Sequence, residues 1–184
     1  MKSQSQIKAQ VWISVVIYTL VGITAIGLVL LVAQPRISEI RDSITIKQTI
    51  EAFHSLDSTV RSVLVAPGNR RQLEFSLTKG EVTINPETDT ITWEMISKKK
   101  FSEPGTIVRE GGLAILTDGG ENGPWTVTVT LSYEGVTDII VSDDPNKREP
   151  LVIQKASQPY KLSVENLGAP SAGQMQQVNI KVIS

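Results

Sequence analysis

The feature that most restricts this chain is an uninterrupted apolar run at residues 11–33 (VWISVVIYTLVGITAIGLVLLVA), with no charged side chain in it. As a helix rising 1.5 Å per residue it is about 35 Å long, enough to cross a hydrocarbon core of about 30 Å with some tilt. A secretory signal has a shorter apolar region, about 7–15 residues, closed by a small-residue cleavage motif. Here the run ends in Gln34-Pro35-Arg36. The run therefore reads as a retained transmembrane helix whose partner is the lipid bilayer.

Charge sets the orientation and excludes one class of partner. Lys2 and Lys8 precede the run with no acid beside them, whereas Arg36 and Arg41 on the other flank are mixed with Glu39 and Asp42. The positive-inside bias then places the N-terminus in the cytoplasm and the C-terminal domain outside, a single-pass cell-membrane protein. Over all 184 residues the formal net charge is −1, which supplies no dense basic face and argues against a nucleic-acid partner. With no cysteine there is no disulfide framework and no thiolate metal site.

Past the run, apolar residues recur at steps of three and four: Ile37, Ile40, Ile44, then Ile50, Phe53, Leu56, Val60, Val63 and Leu64. This is the stripe of an amphipathic helix, with a phase slip near Thr45-Ile46. Pro35 removes a backbone donor, so a kink is expected at the membrane exit. The stripe can pack on the chain's own β domain or on neighbouring subunits.

The period then changes. Ala66-Pro67-Gly68-Asn69 stops the helix, and eight of nine prolines and eleven of thirteen glycines lie from Pro67 onward. Leu73, Phe75 and Leu77 alternate with polar residues, as do residues 81–84 and 90–95 around a turn at residues 85–89. The clearest strand carries Trp125, Val127, Val129, Leu131 and Tyr133, and later ones span 136–141, 151–153, 160–164 and 178–183. At least seven short strands with one buried face each predict an antiparallel sandwich-like domain. The fold class is thus α+β: a basic leader (1–9), an N-terminal helix (10–66; transmembrane 11–33, amphipathic stalk 36–65) and an all-β extracytoplasmic domain (67–184).

Little in the chain carries chemistry. The single histidine, His54, sits on the stalk beside Phe53, with no second imidazole for a metal site or a triad. The run from Thr117 to Gly123 lacks the lysine of a phosphate loop and reads as a hairpin loop. Ser142-Asp143-Asp144-Pro145-Asn146 reads as a solvated turn, and neither acidic loop has calcium-loop spacing. Lys98-Lys99-Lys100 reads as a solvated basic loop, with anionic lipid or an acidic neighbour as the functional alternative. No catalytic residue, cofactor or metal is expected, and the chain reads as a non-enzyme.

The first residues carry a family resemblance. A short polar, basic leader ends in Lys8-Ala9, directly before Gln10 and the apolar helix. This resembles the class III signal peptides of archaeal type IV pilin-like proteins, and residues 9–20 look especially like pilin and archaellum-associated proteins. The resemblance implies cleavage between Ala9 and Gln10 by a prepilin peptidase-like enzyme, which leaves the apolar helix in place. It also implies a pilin-like architecture and self-association, or association with other pilin-like subunits, through that helix. Gly22 and Gly27 would let neighbouring backbones approach closely. One position departs from the pattern: Ser14 stands fifth after the implied cut, where the family commonly has a glutamate that pairs with a neighbour's terminal amine. Ser14, Gly22, Gly27 and Pro35 are the assembly residues on this reading. The alternative is a single-pass, membrane-anchored β-domain module that binds or acts as a stator and does not polymerise.

Overall fold

The computed structural model describes residues 4–120, 123–142 and 148–183, apart from the side chains of residues 4–11 and Pro35. The expectations placed on Lys2, on the Glu121-Asn122 part of the glycine-rich loop and on Asp143-Asp144-Pro145-Asn146 fall outside the described residues.

One helix, α1, spans Gln4–Val63. It starts before the expected residue 10, so residues 4–9 of the leader have helical backbone, and it runs through Pro35 without interruption. One missing donor removes one rung of the ladder and leaves the neighbouring rungs intact. The helix ends at Val63, three residues short of the expected 66 and ahead of the Pro67-Gly68 stop; Gly68 takes a positive φ of 82° and its amide donates to the Asn166 carbonyl at 2.7 Å. Two compact units divide the chain, Met1–Arg41 and Asp42–Ser184.

Ten strands follow in the second unit: β1 Arg70–Phe75, β2 Glu81–Asn85, β3 Thr90–Ser97, β4 Ile107–Glu110, β5 Leu113–Asp118, β6 Trp125–Ser132, β7 Asp138–Ile140, β8 Leu151–Gln154, β9 Tyr160–Gly168 and β10 Gln177–Ile183. They form a four-stranded sheet in the order β1-β9-β10-β7 and a six-stranded sheet in the order β4-β5-β6-β3-β2-β8. The fold is α+β with mostly antiparallel sheets, as the alternation indicated. It departs from a purely antiparallel domain at one ladder, where β10 pairs with β7 in parallel. The strand expected over 136–141 is trimmed to three residues, because Val136 belongs to a turn whose amide donates to the Tyr133 carbonyl.

The second unit begins inside the helix because the rest of the helix is part of its core. Ile46, Ile50, Phe53, Leu56, Val60 and Val63 are buried in one cluster with residues of both sheets, among them Trp93, Val129, Leu162 and Ile180. Phe53 meets Phe75 with ring centroids 5.9 Å apart and a tilt of 56°. Of the two options for the stripe, the half from Ile50 onward packs on the chain's own β domain. The phase slip is real: Ile46 is buried and Ile44 is half exposed. Gly80 fits closely at the start of β2. Its φ is +78°, and a Cβ there would collide with the Glu94 carbonyl and the Trp93 indole, which donates to the Lys79 carbonyl at 2.9 Å.

Candidate functional site, the apolar helix surface

Residues 12–32 are exposed without a break, and Ala33 is half-buried. Trp12 and Tyr18 are each 76% exposed, and every apolar side chain named along this stretch is exposed. The most apolar 18-residue window has a mean hydropathy of 2.7 and none of it is buried. Among the described residues this is the one helix long and apolar enough to cross a membrane. Its two threonine hydroxyls turn inward: Thr19 Oγ1 donates to the Val15 carbonyl and Thr24 Oγ1 to the Leu20 carbonyl, each at 2.8 Å. Bonded this way, a hydroxyl leaves no polar demand on its surroundings, which is what a hydrocarbon environment requires.

The assembly residues fall on this surface at different angles. Gly22 and Gly27 have open space where a Cβ would lie, with no atom within 4 Å. Five residues apart, they point about 140° away from each other around the helix and cannot form a single seam. Ser14 is exposed and makes an interaction of its own. The backbone of Lys8, Ala9, Gln10 and Pro35 lies within α1, and their side chains are outside the described residues.

In the β domain the polar side chains act as clamps. Asp42, at the start of the buried helix face, accepts from Lys79 Nζ at 2.6 Å and from the Lys98 amide at 2.7 Å. Burial raises its pKa, and the Lys79 and Lys98 hydrogen bonds outweigh that, so the carboxyl lies below its ordinary range. At the opposite end, Asp57 accepts from the buried Tyr133 hydroxyl at 3.1 Å and from Arg61 Nε at 2.9 Å. Burial, with the Asp57 charge beside it, pushes the Tyr133 phenol well up.

A third clamp joins the two sheets. Arg148 grips the Asp138 carboxylate with both terminal nitrogens and donates to the Pro86 carbonyl at 3.1 Å, while Gln177 donates to Asp138 at 2.8 Å. The Arg148 hydrogen bond holds Asp138 below the usual carboxylate range. Burial pushes Asp89 up, although it accepts from the Ile139 amide at 2.8 Å.

None of these groups converges as a reactive constellation. Among the described residues no group of three or more metal-ligating side chains comes together. His54 lies 3.7 Å from Glu110 on the surface, as expected for a half-exposed helix histidine. The described part of the glycine-rich loop connects β5 to β6, the hairpin the sequence indicated. The clamps were not foreseen, because their members are far apart in sequence and ordinary in type.

Helix and sheets together define a class: an α+β chain with one membrane-length apolar segment and a β domain plugged by the same helix. No family model, curated protein or solved structure matches it.

Proposed function

We propose that this chain is a pilin-like structural subunit. Its apolar segment serves first as a membrane anchor and then as the core of a type IV pilus-like or archaellum-related surface assembly, with the β domain outermost. The observation that carries the reading is the division of one helix between two surroundings. Residues 12–33 are apolar on every side and exposed as far as residue 32, while residues 46–63 are locked into the β core. An all-round apolar helix is stable in lipid or among other apolar helices. Gly22 and Gly27, pointing to different sides, suit a helix surrounded by several neighbours better than a two-helix seam. Lys8-Ala9 ahead of Gln10 supplies the processing position for a prepilin peptidase-like enzyme, and cutting there spares the anchor. The N-terminus is cytoplasmic and the domain extracytoplasmic, by the lysines before the run.

Ser14 favours the second reading, a membrane-anchored β-domain binding or stator module, since a hydroxyl cannot pair with a neighbour's terminal amine as a carboxylate does. Two measurements separate the readings. Coexpressed with a competent prepilin peptidase, the membrane-extracted subunit should yield Gln10 as its first residue; an intact Met1 removes the pilin-like reading. Shearing the cells should then release the subunit as a sedimenting polymer, whereas an anchored module stays with the membrane.

A further inference from the structure

One end of the β domain collects lysines. The strand registers bring the start of β2, the end of β3, the end of β8 and the start of β6 to this end, through the pairs Glu81–Glu94, Glu81–Gln154 and Ser97–Trp125. Lys79, Lys98, Lys99, Lys100 and Lys155 lie here, and Lys79 and Lys155 line one recess of about 360 Å³ with the exposed Ile96. Asp42 pairs with Lys79 and Glu103 with Lys100. Among the described residues no ion pair engages Lys98, Lys99 or Lys155, all three exposed. The carboxylates near them are Asp118, which accepts from the Gly119 amide, and Glu81 and Glu94, which line the same recess as Lys155; Glu81 accepts there from Gln154 at 2.9 Å. Among the described residues, the clamps of the opposite end use arginine: Arg61 is held by Asp57 and Arg148 by Asp138.

The lysine end is also where the chain arrives from the apolar segment, since Asp42 is clamped there by Lys79 and the Lys98 amide. Ala33, the last residue of the apolar run, precedes Asp42 by nine positions, about 14 Å along a helix. The headgroup layer takes up roughly 6 Å of that distance, and the remainder is about one Debye length. A connection of that length allows the lysines that lack an ion pair to come within electrostatic range of a bilayer holding the apolar segment.

We propose that Lys98, Lys99 and Lys155, with Ile96 beside them, form a docking surface for anionic lipid headgroups of the same membrane. The surface holds the β domain against the bilayer while the subunit is anchored and lets go when the helix leaves the lipid. The proposal rests on the membrane-anchor part of the function proposed above. Each lysine close to an anionic surface adds about fivefold to docked occupancy, and the three together about a hundredfold.

The test uses the full chain in vesicles of zwitterionic lipid alone, or with anionic phospholipid as about a third of the lipid. Amide hydrogen exchange is read in residues 97–106 and 155–159, with the turn at residues 86–89 as the reference. Protection of the first two segments should rise at least tenfold in anionic vesicles, with the reference turn unchanged. High salt and the K98Q/K99Q/K155Q variant should each abolish the rise. Equal protection in both vesicle types overturns the proposal. So does protection that follows protein density and not lipid charge, which would assign the lysines to an acidic face of another copy. If the chain floats with neither vesicle type the anchor itself fails, a result distinct from floating with equal protection.

Discussion

Residues 12–33 and residues 46–63 belong to one helix and have opposite surroundings. The first stretch is apolar on all sides, and the second is apolar on one stripe that the β domain covers. Both treat their hydroxyls alike: exposed Thr24 donates to the Leu20 carbonyl, and buried Thr49 donates to the Thr45 carbonyl at 2.9 Å. Backbone geometry is therefore shared, and the distribution of polar side chains decides which half finds its solvent inside the molecule. The difference separates the part of the helix that helps hold the β domain together from the part that is long and apolar enough to cross a membrane.

The sharpest test of that separation is a pair of truncations. Phe53→Ala empties a fully buried ring position against Phe75 and should cost about 3–5 kcal/mol in denaturant unfolding of the β domain. Ile23→Ala should leave the same unfolding curve within about 0.5 kcal/mol. Equal effects would break the comparison. A charge inverts it: Ile23→Arg should disfavour insertion by about 2.5–3.5 kcal/mol and move the chain into the carbonate-extractable fraction. Glu51→Arg, on the exposed side of the stalk, should not change extraction.

The Asp42 clamp sits where the second stretch begins, and its loss should be smaller. Asp42→Ala strands the Lys98 amide and the Lys79 ammonium, for about 1–3 kcal/mol of destabilisation at neutral pH. Because the folded pKa of Asp42 is depressed, its contribution is fully present above the unfolded carboxylate pKa of about 3.9 and is lost as pH falls through the folded value. Asp138 behaves in the same way through Arg148. Acid titration of the unfolding midpoint should therefore show a shallower fall for Asp42→Asn than for the parent chain. The smallest effect belongs to the surface pair of His54 and Glu110: His54→Gln should shift stability by less than about 1 kcal/mol.

What could be read from the sequence follows the strength of periodicity. The apolar run, the stripe of Phe53, Leu56, Val60 and Val63, and the strand with Val127, Val129 and Leu131 each repeat one period over several turns or residues, and each lies where that period placed it. β4 and β5 were not anticipated. All four residues of β4 are exposed, so it has no alternation, and β5 opens with the nearly continuous apolar Leu113-Ala114-Ile115-Leu116 between breakers. The parallel ladder of β7 and β10 was equally out of reach, since nothing local to three residues reports which distant strand will pair with them. The Asp42, Asp57 and Asp138 clamps depend on the same long-range closures. The apolar surface was legible because it requires no partner within the chain.

Asp42 has a mechanical consequence. It is the first residue of the compact domain, and its carboxylate ties the start of the buried helix to Lys79 and to the Lys98 amide. Beyond it, six buried residues from Ile46 to Val63 anchor the same helix in the core. Pulling on the helix ahead of Asp42 would thus load an ionic latch as well as a row of hydrophobic teeth.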